Sequence, residues 1–115
     1  MENNNAVKKL LLEMGVSPDL SGYHYLAEAI TMVRELVKNN DVNYKFMVLY
    51  MQIAKKFNTT SSRVERAMRH AVETAFSFKN ALLHEMFGTL IDDSGKVTNS
   101  CFVCTLVEHL LMEEN

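Results

Sequence analysis

An all-α, compact multi-helix domain of about six helices is predicted for this chain of 115 residues. Three observations carry that prediction. Apolar residues recur at three- and four-residue spacing along most of the sequence, the period of helices that each bury one face. Convincing strand alternation is nearly absent. At 48% hydrophobic and 23% charged residues the composition is that of a globular chain, able to bury a modest core without disulfides or metals.

The elements follow in order. Val7, Leu10, Leu11 and Met14 form a first stripe, and Gly15 stands where a helix C-cap glycine would end it. Pro18 lies in a connector, and Ser21 is the expected N-cap of a longer helix with the stripe Leu26, Ala29, Ile30, Val33, Leu36 and Val37, ending near Asn39-Asn40. From Asp41 to Phe57 the sequence is densely apolar, so periodicity leaves the start of the third helix open. Its end is marked by Ile53, Ala54 and Phe57 and by the turn Asn58-Thr59-Thr60. Val64, Ala67, Met68, Ala71, Val72, Ala75 and Phe76 give the most regular stripe in the chain. A short helix is expected on Leu82, Leu83, Met86 and Phe87. The turn Asp92-Asp93-Ser94-Gly95 follows, with small extended pieces on either side (89–91 and 96–98). A last helix from about Asn99 carries Phe102, Val103, Leu106, Val107, Leu110 and Leu111. Neither an internal repeat nor a dividing linker is found, so residues 1–115 are read as one domain.

Charge excludes some partners. Twelve Lys and Arg against fourteen Asp and Glu leave a formal charge of −2, which rules out a generally polybasic coat but not a local basic patch. No apolar run approaches the roughly 18–20 residues of a membrane span. The start Met1-Glu2-Asn3-Asn4-Asn5 lacks the basic character of a signal peptide, and two cysteines make no disulfide framework, so a cytoplasmic chain is expected. Cys101-Phe102-Val103-Cys104 lies in an apolar helical stripe with no second pair and is read as two buried thiols. No acid–base pair, metal set, nucleophile or glycine-rich phosphate loop stands out, so neither catalysis nor a cofactor is expected.

Residues 50–69 fit a helix-turn-helix frame, with a core at about 48–77. Ala54 is the small residue over which the second helix can cross, Asn58 stands at the turn, and Ile53, Phe57, Val64 and Ala67 supply the buried side. Opposite the Val64-Ala67-Ala71 stripe lie Ser62, Arg63, Arg66, Arg69, His70 and Glu73. Arginine can pair bidentately with guanine O6 and N7 or with phosphate, and Glu65 could accept from a cytosine amino group. Ser62-x-x-Glu65 is equally a capping box that would hold Glu65 at the helix start; both readings stay open. Lys55 and Lys56 end the preceding helix, and Thr59, Thr60, Ser61 and Ser62 offer hydroxyls and helix-start amides to a phosphate backbone. Segment 55–70 holds five cations against one carboxylate, a charge of +4, which leaves −6 for the rest of the chain. An arginine-rich exposed face is by itself more often just a solvated face.

The runs Gly22-Tyr23-His24-Tyr25-Leu26-Ala27-Glu28-Ala29-Ile30, Ile53 to Thr60 and Ser62 to Ala71 closely resemble the C-terminal effector domains of the stage 0 sporulation protein A family, regulators of endospore formation. The similarity is dense from about Gly22 to Val72, and Thr98-Asn99-Ser100 still matches. The resemblance implies a helix-turn-helix that reads a promoter box with a TGTCGA-like core, with two copies bound head to tail on tandem boxes through the last helix. By position, Glu65, Arg66 and Arg69 match the family's main base contacts, and Arg63, His70 and the Lys55–Ser62 stretch its other or backbone contacts. His70, Glu73, Thr74 and Phe76 occupy the region the family uses toward the RNA polymerase sigma factor. The resemblance also implies nucleoid-associated localisation.

Three departures from the family pattern stand out. The family's regulators carry an N-terminal receiver domain, which nothing in these residues matches, so an isolated effector or a stand-alone relative is expected. Met51-Gln52 replace the usual Pro-Asp, which implies an earlier helix start. Phe76-Ser77-Phe78-Lys79 differs from a Trp-Ser-basic-Gly pattern, a departure that falls on the sigma-factor region. Two functions from different classes follow: a sequence-specific double-stranded DNA-binding transcription regulator, or a stand-alone interaction module that pairs with a full-length regulator or the sigma factor and binds DNA weakly.

Overall fold

A computed structural model of the chain describes residues 4–78 and 80–114. Lys79, named above in the departure from the family pattern, lies outside them. Six α-helices follow one another: α1 (Asn5–Glu13), α2 (Ser21–Lys38), α3 (Phe46–Lys56), α4 (Ser61–Phe76), α5 (Ala81–Phe87) and α6 (Asn99–Glu113), with a single 3₁₀ turn at Gly88–Leu90. No strand occurs among the described residues, and no helix is long and apolar enough to cross a membrane.

Helix α2 is the centre of the packing. Its Leu26, Ala29, Ile30 and Val33 are fully enclosed, with α4 and α6 as the largest neighbours and α1 and α3 at the sides. Helix α4 buries Val64, Met68, Ala71, Val72 and Ala75, and α6 buries Phe102, Val103, Leu106 and Val107. Phe87 of α5 stacks on Phe102 at 5.3 Å, and Phe76 meets both rings edge-on. The α2–α4 crossing depends on Gly22. A Cβ added there would stand 2.1 Å from the Ala67 carbonyl oxygen and 2.8 Å from the Ala71 Cβ, so only glycine lets the two backbones come this close.

Several boundaries agree with the sequence. Gly15 ends α1 at φ 84°, Asn58 takes the left-handed conformation at φ 56° between α3 and α4, and α6 begins at Asn99 behind a Thr98 cap. Helix α3 starts at Phe46, ahead of Met51-Gln52, as their departure from Pro-Asp implied. Four expectations are corrected. Leu20, not Ser21, occupies the N-cap of α2, with no side-chain cap, because Ser21 is already helical. The extended pieces expected beside the 92–95 turn form no strand among the described residues: Ile91 and Thr98 have extended backbone, but residues 88–90 form the 3₁₀ turn, and the bond from the Asp92 amide to the Lys96 carbonyl closes the loop locally at 2.8 Å. Phe57 is 39% exposed, its ring edge-on to Tyr25 at 5.1 Å, rather than part of the buried side. Cys101 and Cys104 are free thiols but only half-buried, with Cys104 Sγ 3.3 Å from the Tyr44 hydroxyl.

Candidate nucleic-acid interface

Helices α3 and α4 are joined by a four-residue turn, and Val64 and Met68 hold α4 against the core while its opposite side faces outward. The start of α4 is fixed by Thr60, whose side-chain oxygen accepts from the Arg63 amide at 3.2 Å. The Ser62–Glu65 capping box is therefore not formed. The cap lies two residues earlier, which leaves the first-turn amides of Ser61 and Ser62 at an open, positively polarised helix end.

Glu65 is instead engaged along the helix. Its carboxylate accepts from Arg69 Nε at 3.1 Å and from the guanidinium NH₂ at 3.4 Å, a fork across one turn. The hydrogen bond and the negative charge raise the Arg69 pKa further above its already high value. Sequence reasoning missed this pair, although Glu four residues before Arg is the favourable i,i+4 order. Arg63 and Arg66 are exposed, and neither has an ion-pair partner among the described residues. His70 is exposed on the same outward side. Sequence reasoning took Lys56 as a phosphate contact, and the structure ties its ammonium to Glu28 of α2 at 2.8 Å; Lys55 is exposed beside it.

The residues singled out for the sigma-factor region divide. Glu73 pairs with Lys96 at 3.5 Å, Thr74 is half-buried, and the Phe76 ring is taken up between Phe87, Phe102 and His84. His70 is the exposed member of that group.

Two supporting residues were missed by the sequence reading. Asn99, only 7% exposed, donates from Nδ2 to the Tyr50 hydroxyl and to the Glu65 backbone carbonyl, both at 3.2 Å. One amide thereby ties α6 to α3 and to the outward-facing segment of α4. Its Oδ1 is buried without a partner among the described residues. Buried asparagines are uncommon, and nothing in the local pattern marks this one. The second is Met47. It is 64% exposed and shares a notch of about 340 Å³ with Tyr50 of α3 and with Ser62, Glu65, Arg66 and Arg69 of α4. No group of three or more His, Cys, Asp or Glu positioned to hold a metal is found among the described residues.

The arrangement is an exposed cationic helix, capped at its start, braced by an internal ion pair and carried on a buried stripe, within a chain whose remainder is acidic. Residues 7–110 match the family described as sporulation initiation factor Spo0A C terminal, and the chain belongs to that family of sporulation-initiation DNA-binding effector domains.

Proposed function

We propose that the chain is a sequence-specific double-stranded DNA-binding transcription regulator in which α3 and α4 act as a helix-turn-helix and α4 enters the major groove. The observation that carries this is the outward face of α4: Arg66 without an ion-pair partner among the described residues, Arg69 aligned by Glu65, and an open helix start at Ser61 and Ser62, all on a helix rigidly seated by its other face. A major groove about 12 Å wide admits such a helix. In this docking Arg66 and Arg69 read base edges. Arg63, Lys55 and the Thr60–Ser62 hydroxyls and amides hold phosphates, and the exposed His70 offers a further phosphate contact. Glu65 serves twice, aligning Arg69 and presenting its carboxylate oxygens to a cytosine amino group. Pairing of two copies on tandem boxes would use the outer residues of α6, where Glu108 and Met112 are exposed. The chain works in the cytoplasm, at the nucleoid.

The test is an anisotropy titration against a duplex with the TGTCGA-like core and a scrambled duplex at physiological salt. A preference of 10³-fold or more is the order expected of a specific site. A ratio near one would favour the interaction-module function. Arg66→Ala should lose affinity for the core duplex by about 1–3 kcal/mol while leaving the scrambled duplex nearly unaffected.

A further inference from the structure

We propose that the notch between α3 and α4 seats the C5-methyl group of a thymine, which makes Met47 a specificity-determining contact; this rests on the docking proposed above. The notch has two unlike walls. On the α3 side stand the Met47 thioether and the Tyr50 ring; on the α4 side stand Ser62, the Glu65–Arg69 pair and Arg66. A duplex lying along α4 presents the notch with base edges. Among the four bases only thymine offers an apolar group to the major groove; every other feature there is a donor or an acceptor. A concave surface that sets the exposed Met47 beside the Arg66 guanidinium therefore fits a thymine methyl next to a base read by Arg66. Met47 is 64% exposed, spends little of its surface on the core, and is unbranched and polarizable, so it can close on a methyl without rearranging α3.

The proposal is tested by anisotropy titration of the full chain and of Met47→Ala. The probes are the TGTCGA-like duplex, the same duplex with each thymine in turn replaced by deoxyuridine, and a scrambled duplex. Uracil differs from thymine by the methyl alone. One replacement should weaken the unmodified chain about three- to fivefold, the worth of burying one methyl-sized group. The same replacement should leave Met47→Ala unaffected, and that variant should bind the thymine duplex weaker by the same factor. Neutral replacements at every thymine, or an equal loss in Met47→Ala, would overturn the contact while preserved discrimination against the scrambled duplex left the docking intact. Absence of that discrimination would remove both.

Discussion

Gly22→Ala sets two effects of opposite sign against each other. Position 22 is the second residue of α2, where alanine is favoured over glycine by up to about 1 kcal/mol because it loses less backbone entropy. Propensity alone thus predicts a more stable protein. The crossing with α4 predicts the reverse. The new Cβ would lie 2.1 Å from the Ala67 carbonyl oxygen and 2.8 Å from the Ala67 carbonyl carbon. These are backbone atoms of a helix, not the far end of a flexible side chain, so the strain is relieved only by moving α2 away from α4. That opens the contact around Leu26, Val64, Met68 and Ala71, all fully buried. Overpacking of this kind costs about 1–3 kcal/mol and here lies at or above the upper end, because both obstacles are rigid. After the helical gain, a net loss of about 2 kcal/mol remains, a fall in Tm on the order of 10 °C for a domain of this size. Urea and thermal unfolding followed by far-ultraviolet circular dichroism measure it. An unchanged or raised Tm would refute the close crossing, since it is what propensity without a clash would give.

Further expectations concern other parts of the molecule. Asn99→Ala removes the bonds to Tyr50 and to the Glu65 carbonyl and should lower stability by about 1–3 kcal/mol in urea unfolding. Lys55→Ala should weaken core and scrambled duplexes alike and reduce the slope of log affinity against log salt by about one, whereas Lys56→Ala, whose ammonium is held by Glu28, should reduce it less. Burial, then the hydrogen bond with Cys104, pushes the Tyr44 hydroxyl up to about 12 from 10.0. Because the folded state keeps that proton longer than the unfolded chain, the associated stability is present below pH 10 and is lost as pH rises from about 10 toward 12. An ultraviolet tyrosinate titration should find two late-ionising tyrosines, Tyr44 and Tyr50, the latter raised mainly by burial, and Cys104→Ala should bring down only Tyr44.

The helical architecture was legible because each helix buries one face against a common core, and burial of that kind writes itself as a 3.6-residue period. Val64, Met68, Ala71, Val72 and Ala75 are both the most regular stripe in the sequence and the buried face of α4. Ends were legible where a conformation demands a residue type: Gly15 and Asn58 hold positive φ, which few other side chains accept. Caps were less so. A cap requires one particular backbone geometry, and in a run of Thr59-Thr60-Ser61-Ser62 four residues could satisfy it; the choice of Thr60 is set by where Val64 must point to reach the core. Of the proposed interface, the outward cations of α4 follow from periodicity alone. Contacts made with distant parts of the chain do not. Lys56 finds Glu28 across 28 positions, and Asn99 reaches Glu65 across 34, distances over which no local pattern carries information.

Those partners alter what the +4 segment can do. Its five cations fall into two kinds: Lys56 and Arg69 have carboxylate partners, while Lys55, Arg63 and Arg66 have no ion-pair partner among the described residues. Ion pairs at the surface are worth at most about 1 kcal/mol, so they bias the two cations rather than immobilise them. What they restrict is direction. The Glu65 fork holds the Arg69 guanidinium along α4 before any partner arrives, which reduces the side-chain entropy lost when it meets a base edge. Glu28 draws Lys56 toward α2, away from the face on which Arg66 stands open. The +4 segment thus carries fewer freely moving charges than its count implies, and the acidic remainder of the chain opposes attachment to arbitrary sequences. On the proposed docking, affinity for DNA in general should therefore be modest, and discrimination should depend on the few side chains already held in place.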